Sequence, residues 1–313
     1  MRGKGNEGSK SRLLAVAGLL LLSVLWSLGP LSSDLFAHAA SPAPPLESAT
    51  TQFALLALVA VLWAVARHQP WPRGRELFAT VAVGLGLFAA PAVLVALAAG
   101  EVSSLTRVAL FSLVPVFAVV FEPYLGSDAL RPPPAALMAA LAAVVGTMCI
   151  FPLNLPGSIQ AGAAFLGLII AAVLVAAANC AAVRLTSQTQ SLAPFIAIAC
   201  ATAAAVLAPA NQILSPQPWQ VAGLSPAMLF AVQLPSLLLL FWLMRRTSAT
   251  AMATRYVLAP LIAILVDMGI ARPIVGARTW LGLLLIAGGA GALLLAPPAP
   301  PDDDSPPLSL YRK

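Results

Sequence analysis

Charged residues are scarce in this sequence. They make up 9% of the 313 residues, while 60% are hydrophobic, and soluble globular domains carry about 25% charged residues. Together with a mean hydropathy of +0.93, this composition excludes a soluble enzyme, a nucleic-acid-binding module and a disordered regulator. The 28 prolines and 21 glycines argue against a coiled coil but are tolerated in spanning helices. The chain is therefore predicted to lie in a lipid bilayer.

Histidine and cysteine are also rare. His38 and His68 fall in predicted loops without a second ligand at metal-binding spacing, and Cys149, Cys180 and Cys200 lie in apolar runs without a C-x-x-C pair. No metal site and no cofactor are expected. A phosphate-cradling loop and a dinucleotide fingerprint are missing as well, and no predicted span contains a histidine for serine or metal-dependent catalysis. The chain is therefore not expected to be an enzyme.

Apolar runs divide the chain into ten segments that are long enough to cross a bilayer. A hydrocarbon core of ~30 Å needs ~20 apolar residues per helix, and short polar or proline-rich stretches separate the segments. The predicted spans are 13–31, 49–66, 77–98, 104–123, 135–151, 159–182, 192–210, 223–244, 248–269 and 279–296. The proline-rich, acidic tail 297–313 is predicted to be disordered.

The first span admits a second interpretation. Basic residues before it and Ala37-His38-Ala39 after it imitate a secretory signal peptide with its cleavage site. The length of the apolar run and the polar stretch 32–34 before that site favour a retained helix.

Basic residues are distributed unevenly between alternate loops. With the segment 1–12 in the cytoplasm, thirteen of the 17 lysines and arginines fall on the inside, and Arg272 and Arg278 fall on the outside. Arg107 and Arg255 lie within spans. The positive-inside rule therefore predicts that both termini are cytoplasmic. Topology also explains the net charge of +6, so no nucleic-acid partner is expected.

The two halves of the chain resemble each other at an offset of 145 residues. The aligned pairs are Pro115 with Pro260, Gly146 with Gly291, Pro152 with Pro297, and the acidic Glu122 with Asp267. The offset lays the first five spans over the last five, which predicts an all-α polytopic protein with five-helix repeats over 13–151 and 152–296. Because five is odd, the two repeats are inverted in the membrane, which is typical of transporters.

The sequence also resembles a known family. The stretch LVPVFA at 113–118, the span after Arg131 and the glycine-rich stretch 281–295 are similar to the drug/metabolite transporter (DMT) superfamily, in particular the EamA-like permeases, over residues 13–296. The resemblance implies transport of amino acids, sugars, drugs or other metabolites. Asp128 takes the place of the loop glutamate of that family in the first half, whereas Pro273 stands there in the second.

Four ionisable residues inside the spans are candidates for binding or gating: Arg107, Glu122, Arg255 and Asp267. Each is unfavourable by at least ~2.5 kcal/mol at the centre of an isolated helix unless it pairs or faces water. Depths measured from the proline of each helix place Arg107 level with Asp267 and Arg255 level with Glu122. This predicts two crossed ion pairs that act as gates: Arg107 with Asp267 closes the outside when the cavity faces in, and Arg255 with Glu122 closes the inside in the other state. The alternative is that all four side chains snorkel to the nearest interface.

Other polar groups in the spans are candidates for lining a transport cavity, with helix-to-helix hydrogen bonding as the alternative. Gln233 is the strongest, because it precedes Pro235, where the helical ladder opens. The remaining candidates are Trp26, Asn179 and Tyr256, with Ser27, Gln52, Ser112 and Ser236.

These observations predict a permease of the bacterial inner membrane that works by alternating access and exports a small metabolite. Proton coupling and movement down a gradient both stay open. The alternative function is a non-transporting membrane scaffold or a lipid-handling partner subunit of a larger complex. Expected partners are the bilayer, a small-molecule substrate and, in the coupled case, protons, with the chain acting as a monomer or a homodimer.

Overall fold

The computed structural model describes residues 13–27, 45–125, 134–151, 153–188, 191–214, 229–271 and 276–295. Over these residues the chain is helical and has no strand. Seven of the helices are long and apolar enough to cross a membrane, and three shorter apolar helices accompany them. The predicted all-helical class is confirmed, and the long helices are compatible with a multi-pass membrane protein.

The helices are numbered here in chain order. They are α1 (Leu13–Ser27), α2 (Pro45–Ala66), α3 (Arg75–Leu97), α4 (Ser104–Leu125), α5 (Pro134–Ile150), α6 (Ile159–Gln188), α7 (Leu192–Leu214), α8 (Leu229–Met244), α9 (Ala249–Ile270) and α10 (Ala277–Leu295). The shorter ones are α1, α5 and α8. Each predicted span begins and ends within six residues of these bounds. Residues 28–31, 223–228 and 297–313, and the cleavage site considered at 37–39, lie outside the described residues.

Helices α3 and α8 each contain a π-helical turn, at Leu85–Ala89 and Leu229–Gln233. A proline follows each turn within two residues, Pro91 in α3 and Pro235 in α8. Proline has no backbone N–H and its ring crowds the preceding turn, so a locally widened turn lets each helix continue through it. The prediction that the ladder opens near Pro235 agrees with this turn.

Helices α4 and α9 begin alike and are interrupted alike. Each begins after a serine, Ser103 or Ser248, whose side chain accepts a hydrogen bond from the backbone N–H three residues later. Ser112 interrupts α4 and Thr254 interrupts α9, and each hydroxyl donates to the carbonyl three residues earlier. The sequence did not predict these interruptions, which adjoin the cavity described below.

Close backbone packing joins α5 to α10. A Cβ atom on Gly146 would lie 2.7 Å from the carbonyl oxygen of Gly282, so this crossing needs glycine on both helices. Helices α2 and α7 form a second extensive contact, and α4 contacts both α6 and α9. The contact between α4 and α9 positions the candidate site.

Candidate functional site

A cavity of about 390 Å³ lies between α1, α3, α4 and α9. Ligand sites for small molecules range from ~300 to 1,000 Å³ and are mostly apolar with a few oriented polar groups. The described residues that line this cavity are Trp26 on α1, Val95 on α3, Ser104, Arg107, Val108 and Phe111 on α4, and Arg255, Tyr256, Ala259 and Pro260 on α9. Two of them are arginines, and none of them is acidic.

One face of α4 and one face of α9 form most of the cavity wall. The α4 residues follow the spacing i, i+3, i+4 and i+7 from Ser104, which places them on one side of a helix. The α9 residues follow i, i+1, i+4 and i+5 from Arg255. Phe111 directly precedes the interruption at Ser112, and Arg255 directly follows the one at Thr254. The interruptions therefore lie at the edges of both lining segments.

Arg255 is fully buried, with 0% of its surface exposed. Its Nη1 donates to the carbonyl oxygen of Met252 at 2.8 Å and to Oδ1 of Asn179 at 3.4 Å, and its Nη2 donates to the hydroxyl of Tyr256 at 3.3 Å. The guanidinium also lies 5.1 Å from the ring centroid of Trp26 and 4.7 Å from that of Tyr256, within cation–π distance. All these partners are neutral, and Nε has no partner among the described residues.

Arg107 is half-buried in the first turns of α4. Its Nε is buried and has no hydrogen-bond partner within the described part of the chain. Because arginine is always protonated in proteins, Arg107 and Arg255 together give the cavity two positive charges.

Aromatic rings complete the wall around the arginines. Tyr256 lies edge-on to Trp26, with ring centroids 5.7 Å apart, and stacks with Phe111 at 6.1 Å. Ring pairs of this kind add a stabilising energy to that from the burial of their surface, and they prefer particular ring orientations. Asn179 supports the site from behind, because its Nδ2 donates to the carbonyl of Ala249 at 2.8 Å while its Oδ1 accepts from Arg255.

Glu122, near the carboxyl end of α4, binds the amino end of α9. Its Oε1 accepts the N–H of Ala249 at 2.9 Å, and its Oε2 accepts the N–H of Thr250 at 3.2 Å and the hydroxyl of Thr250. The first N–H groups of a helix have no acceptor within the helix, so the carboxylate satisfies two of them. We call the contact between Glu122, Ala249 and Thr250 the clasp.

The crossed ion pairs predicted from depth do not form among the described residues. Arg255 binds Asn179, Met252 and Tyr256 in place of Glu122, and Glu122 binds the start of α9. Asp267 is exposed, away from the cavity wall that holds Arg107. The depth of a residue along a helix does not determine the direction in which its side chain points around the helix axis. The free N–H groups at the start of α9 also compete with Arg255 for the carboxylate of Glu122. Neither predicted pair is formed in this conformation, and the two gates, each of which is predicted for a different state, stay a prediction.

Gln233 lies in the π-helical turn of α8 and does not line the cavity. Its backbone carbonyl oxygen accepts hydrogen bonds from Nε2 of Gln52 at 3.2 Å and from the hydroxyl of Ser236 at 2.8 Å. The contact with Gln52 is a helix-to-helix bond between α2 and α8, the alternative considered for these groups. Ser27 also bonds to its own helix, at the carbonyl of Val24.

The structure thus brings four of the predicted residues to one cavity, namely Arg107, Arg255, Trp26 and Tyr256, with Asn179 behind them. Sequence reasoning missed Phe111 and Ser104. Helical spacing from Arg107 gave a signal for both, because Phe111 lies four residues after Arg107 and Ser104 lies three residues before it.

Comparisons with known proteins address the fold. No family model and no curated protein matches the chain. Eighteen chains of solved structures do match. One of them, described as "Crystal structure of protein", is 18% identical, covers 90% of this chain and 97% of its own, and has a TM-score of 0.67. At this identity the likeness shows a shared fold and nothing about activity.

Proposed function

We propose that this chain is a secondary transporter, an alternating-access permease that exports a small metabolite across the bacterial inner membrane. The observation that carries the proposal is the cavity between α4 and α9, with charged groups in an otherwise apolar wall. Charged residues within apolar helices face substrate pathways far more often than lipid. The resemblance to EamA-like permeases favours the same function.

The proposed architecture has ten crossings in two inverted five-helix repeats. The offset of 145 residues that aligns the sequence halves also relates Ser103 to Ser248, the residues that cap α4 and α9. It relates Ile150 to Leu295, the ends of α5 and α10, and it superimposes the two π-helical turns to within one residue. The contacts of α2 with α7 and of α5 with α10 each join corresponding helices, as an internal two-fold axis requires.

The cavity and the clasp lie at different depths, which supports alternating access. The cavity is lined by the carboxyl ends of α1 and α3 and the amino half of α4, which lie on the outer side if the basic loops are cytoplasmic, and it extends along α9 to residues 255–260, five or more residues from the clasp. The clasp joins the opposite end of α4 to α9. We assign this conformation to an outward-facing state that is closed on the cytoplasmic side.

Cysteine labelling tests this orientation. In a background with Cys149, Cys180 and Cys200 replaced by alanine, Gly157→Cys should react with an impermeant maleimide on intact cells. Arg73→Cys should react only after the cells are permeabilised. Both positions are exposed, so accessibility is limited by the membrane alone. Labelling of Arg73→Cys on intact cells would invert the topology.

Flux into proteoliposomes tests the function itself. The wild-type protein should carry a subset of a labelled metabolite mixture, and Ala259→Trp should abolish that flux because the indole fills the cavity. Leu265→Trp is the matched control, since Leu265 lies on the same helix, outside the cavity lining and 48% exposed. It should retain flux. If neither the wild type nor Ala259→Trp carried any metabolite of the mixture, the scaffold or lipid-handling function would be favoured.

A further inference from the structure

Positive charge in the cavity is not neutralised by the described residues around it. Arg107 and Arg255 both line the cavity, and the other described lining residues are uncharged, with the hydroxyls of Ser104 and Tyr256 as polar groups. The carboxylate of Glu122 is occupied in the clasp, and Asp267 is exposed. Neither carboxylate is part of the cavity wall.

The arginines also have unused hydrogen-bond donors. Nε of Arg255 and Nε of Arg107 are both buried and lack partners within the described ranges. Arg255 is 0% exposed, and its hydrogen bonds go only to neutral acceptors. A planar guanidinium presents its donors in a fork that matches the oxygens of a carboxylate or phosphate. A buried cation of this kind is stabilised when an anion occupies the cavity.

We infer that the cavity binds a small organic anion. Its acidic oxygens bind the half-buried Arg107 and are attracted by the buried charge of Arg255 beside the rings of Trp26 and Tyr256, and its apolar body lies against Trp26, Phe111 and Tyr256. The volume of about 390 Å³ is near the lower end for ligand sites and so favours a small molecule. The inference rests on the proposed function, because it names the substrate class of the same cavity.

Matched aromatic probes test the charge requirement on the purified full-length protein. Benzoate and phenyl phosphate share a ring with benzyl alcohol and benzylammonium but differ in charge, and the first two represent the carboxylate and phosphate sources. At constant ionic strength, at least one of the two anions should raise the melting temperature in proportion to its occupancy, and the neutral and cationic probes should not. Arg107→Gln should weaken apparent anion binding at least tenfold, because it removes a charge-assisted contact.

The same substitution at an exposed arginine, Arg73→Gln, is the control and should leave anion affinity unchanged. Equal stabilisation by benzylammonium or benzyl alcohol, stabilisation by chloride alone, or no response to either anion would overturn the inference. Flux separates this outcome from failure of the transport proposal. If the protein bound the anions but carried no metabolite, the anion site would stand and the transport function would be contradicted. If flux were inhibited by the cationic probe and not by the anions, the transport function would stand and the anion site would be contradicted.

Discussion

Arg255→Met is expected to abolish transport while changing the stability of the ligand-free protein by less than about 2 kcal/mol. The guanidinium is fully buried, and an ion removed from water carries an effective penalty of several kcal/mol. Hydrogen bonds from charged groups return about 1.5–3 kcal/mol each, and a desolvated cation–π contact returns about 2 kcal/mol. These contributions oppose each other, so methionine, which keeps an unbranched apolar stem and lacks the guanidinium, removes both the penalty and the gain.

Transport depends on Arg255 in a different way. If the charge holds the substrate, its removal should lower kcat/KM by about 100-fold or more, because loss of one partner of a buried charged contact costs 2–5 kcal/mol. Arg255→Lys should recover only part of the activity, since an ammonium keeps the charge without the planar fork. The measurements are proteoliposome flux and the melting temperature with and without the anionic probe.

Arg246→Met provides the control for this substitution. Arg246 also stacks on a tryptophan, with its guanidinium 4.5 Å from the ring of Trp242, but it is exposed. Its replacement should leave flux and anion-induced stabilisation intact. If Arg255→Met retained transport and lost stability instead, Arg255 would be a structural cation and the site would have to lie elsewhere.

Glu122→Gln is expected to open the cytoplasmic side of the cavity. The substitution removes the negative charge from the clasp and leaves one carbonyl oxygen where two carboxylate oxygens accepted the N–H groups of Ala249 and Thr250. A hydrogen bond to a charged group contributes about 1.5–3 kcal/mol, and every 1.4 kcal/mol is a tenfold change in a two-state equilibrium. The inward-open population should therefore rise by about tenfold, provided that the clasp forms in one state only.

Accessibility of Val108→Cys reports this shift. Val108 lines the cavity, so in the cysteine-free background it should react faster from the cytoplasmic side of inside-out vesicles when Glu122→Gln is present. Thr250→Val, which removes only the hydroxyl bond to Glu122, should produce a smaller shift in the same direction. Glu76→Gln neutralises an exposed carboxylate on α3 and should produce none. Unchanged cytoplasmic labelling in Glu122→Gln would reduce the clasp to a helix cap.

The partners of Glu122 and Arg255 in this conformation depend on more than their depth along a helix. Counting residues from Pro115 and Pro260 placed Glu122 and Arg255 at similar levels, and the structure does bring both close to the start of α9. The partner of Glu122 is nevertheless the backbone of α9, because unsatisfied N–H groups at a helix start are available to any nearby carboxylate. Asn179, on α6, takes the position next to Arg255. No pattern within α4 or α9 could identify a competitor on another helix.

The sequence by itself determined the all-helical fold class, and it located the ends of each helix to within six residues. Hydropathy adds up along the chain, so the scarcity of charge and the length of the apolar runs predict helices in a membrane without knowledge of their neighbours. It also marked Arg107 and Arg255 as exceptional, since charge in an apolar span is unfavourable wherever the span lies.

Only the tertiary structure decided what these residues touch. The direction in which side chains point around each helix follows from packing at crossings such as Gly146 against Gly282, and the interruption at Thr254 directly precedes Arg255. These features place two arginines and three aromatic rings around one cavity and leave the carboxylates outside its wall. Such an arrangement depends on contacts between residues far apart in sequence, which a pattern read along one chain does not contain.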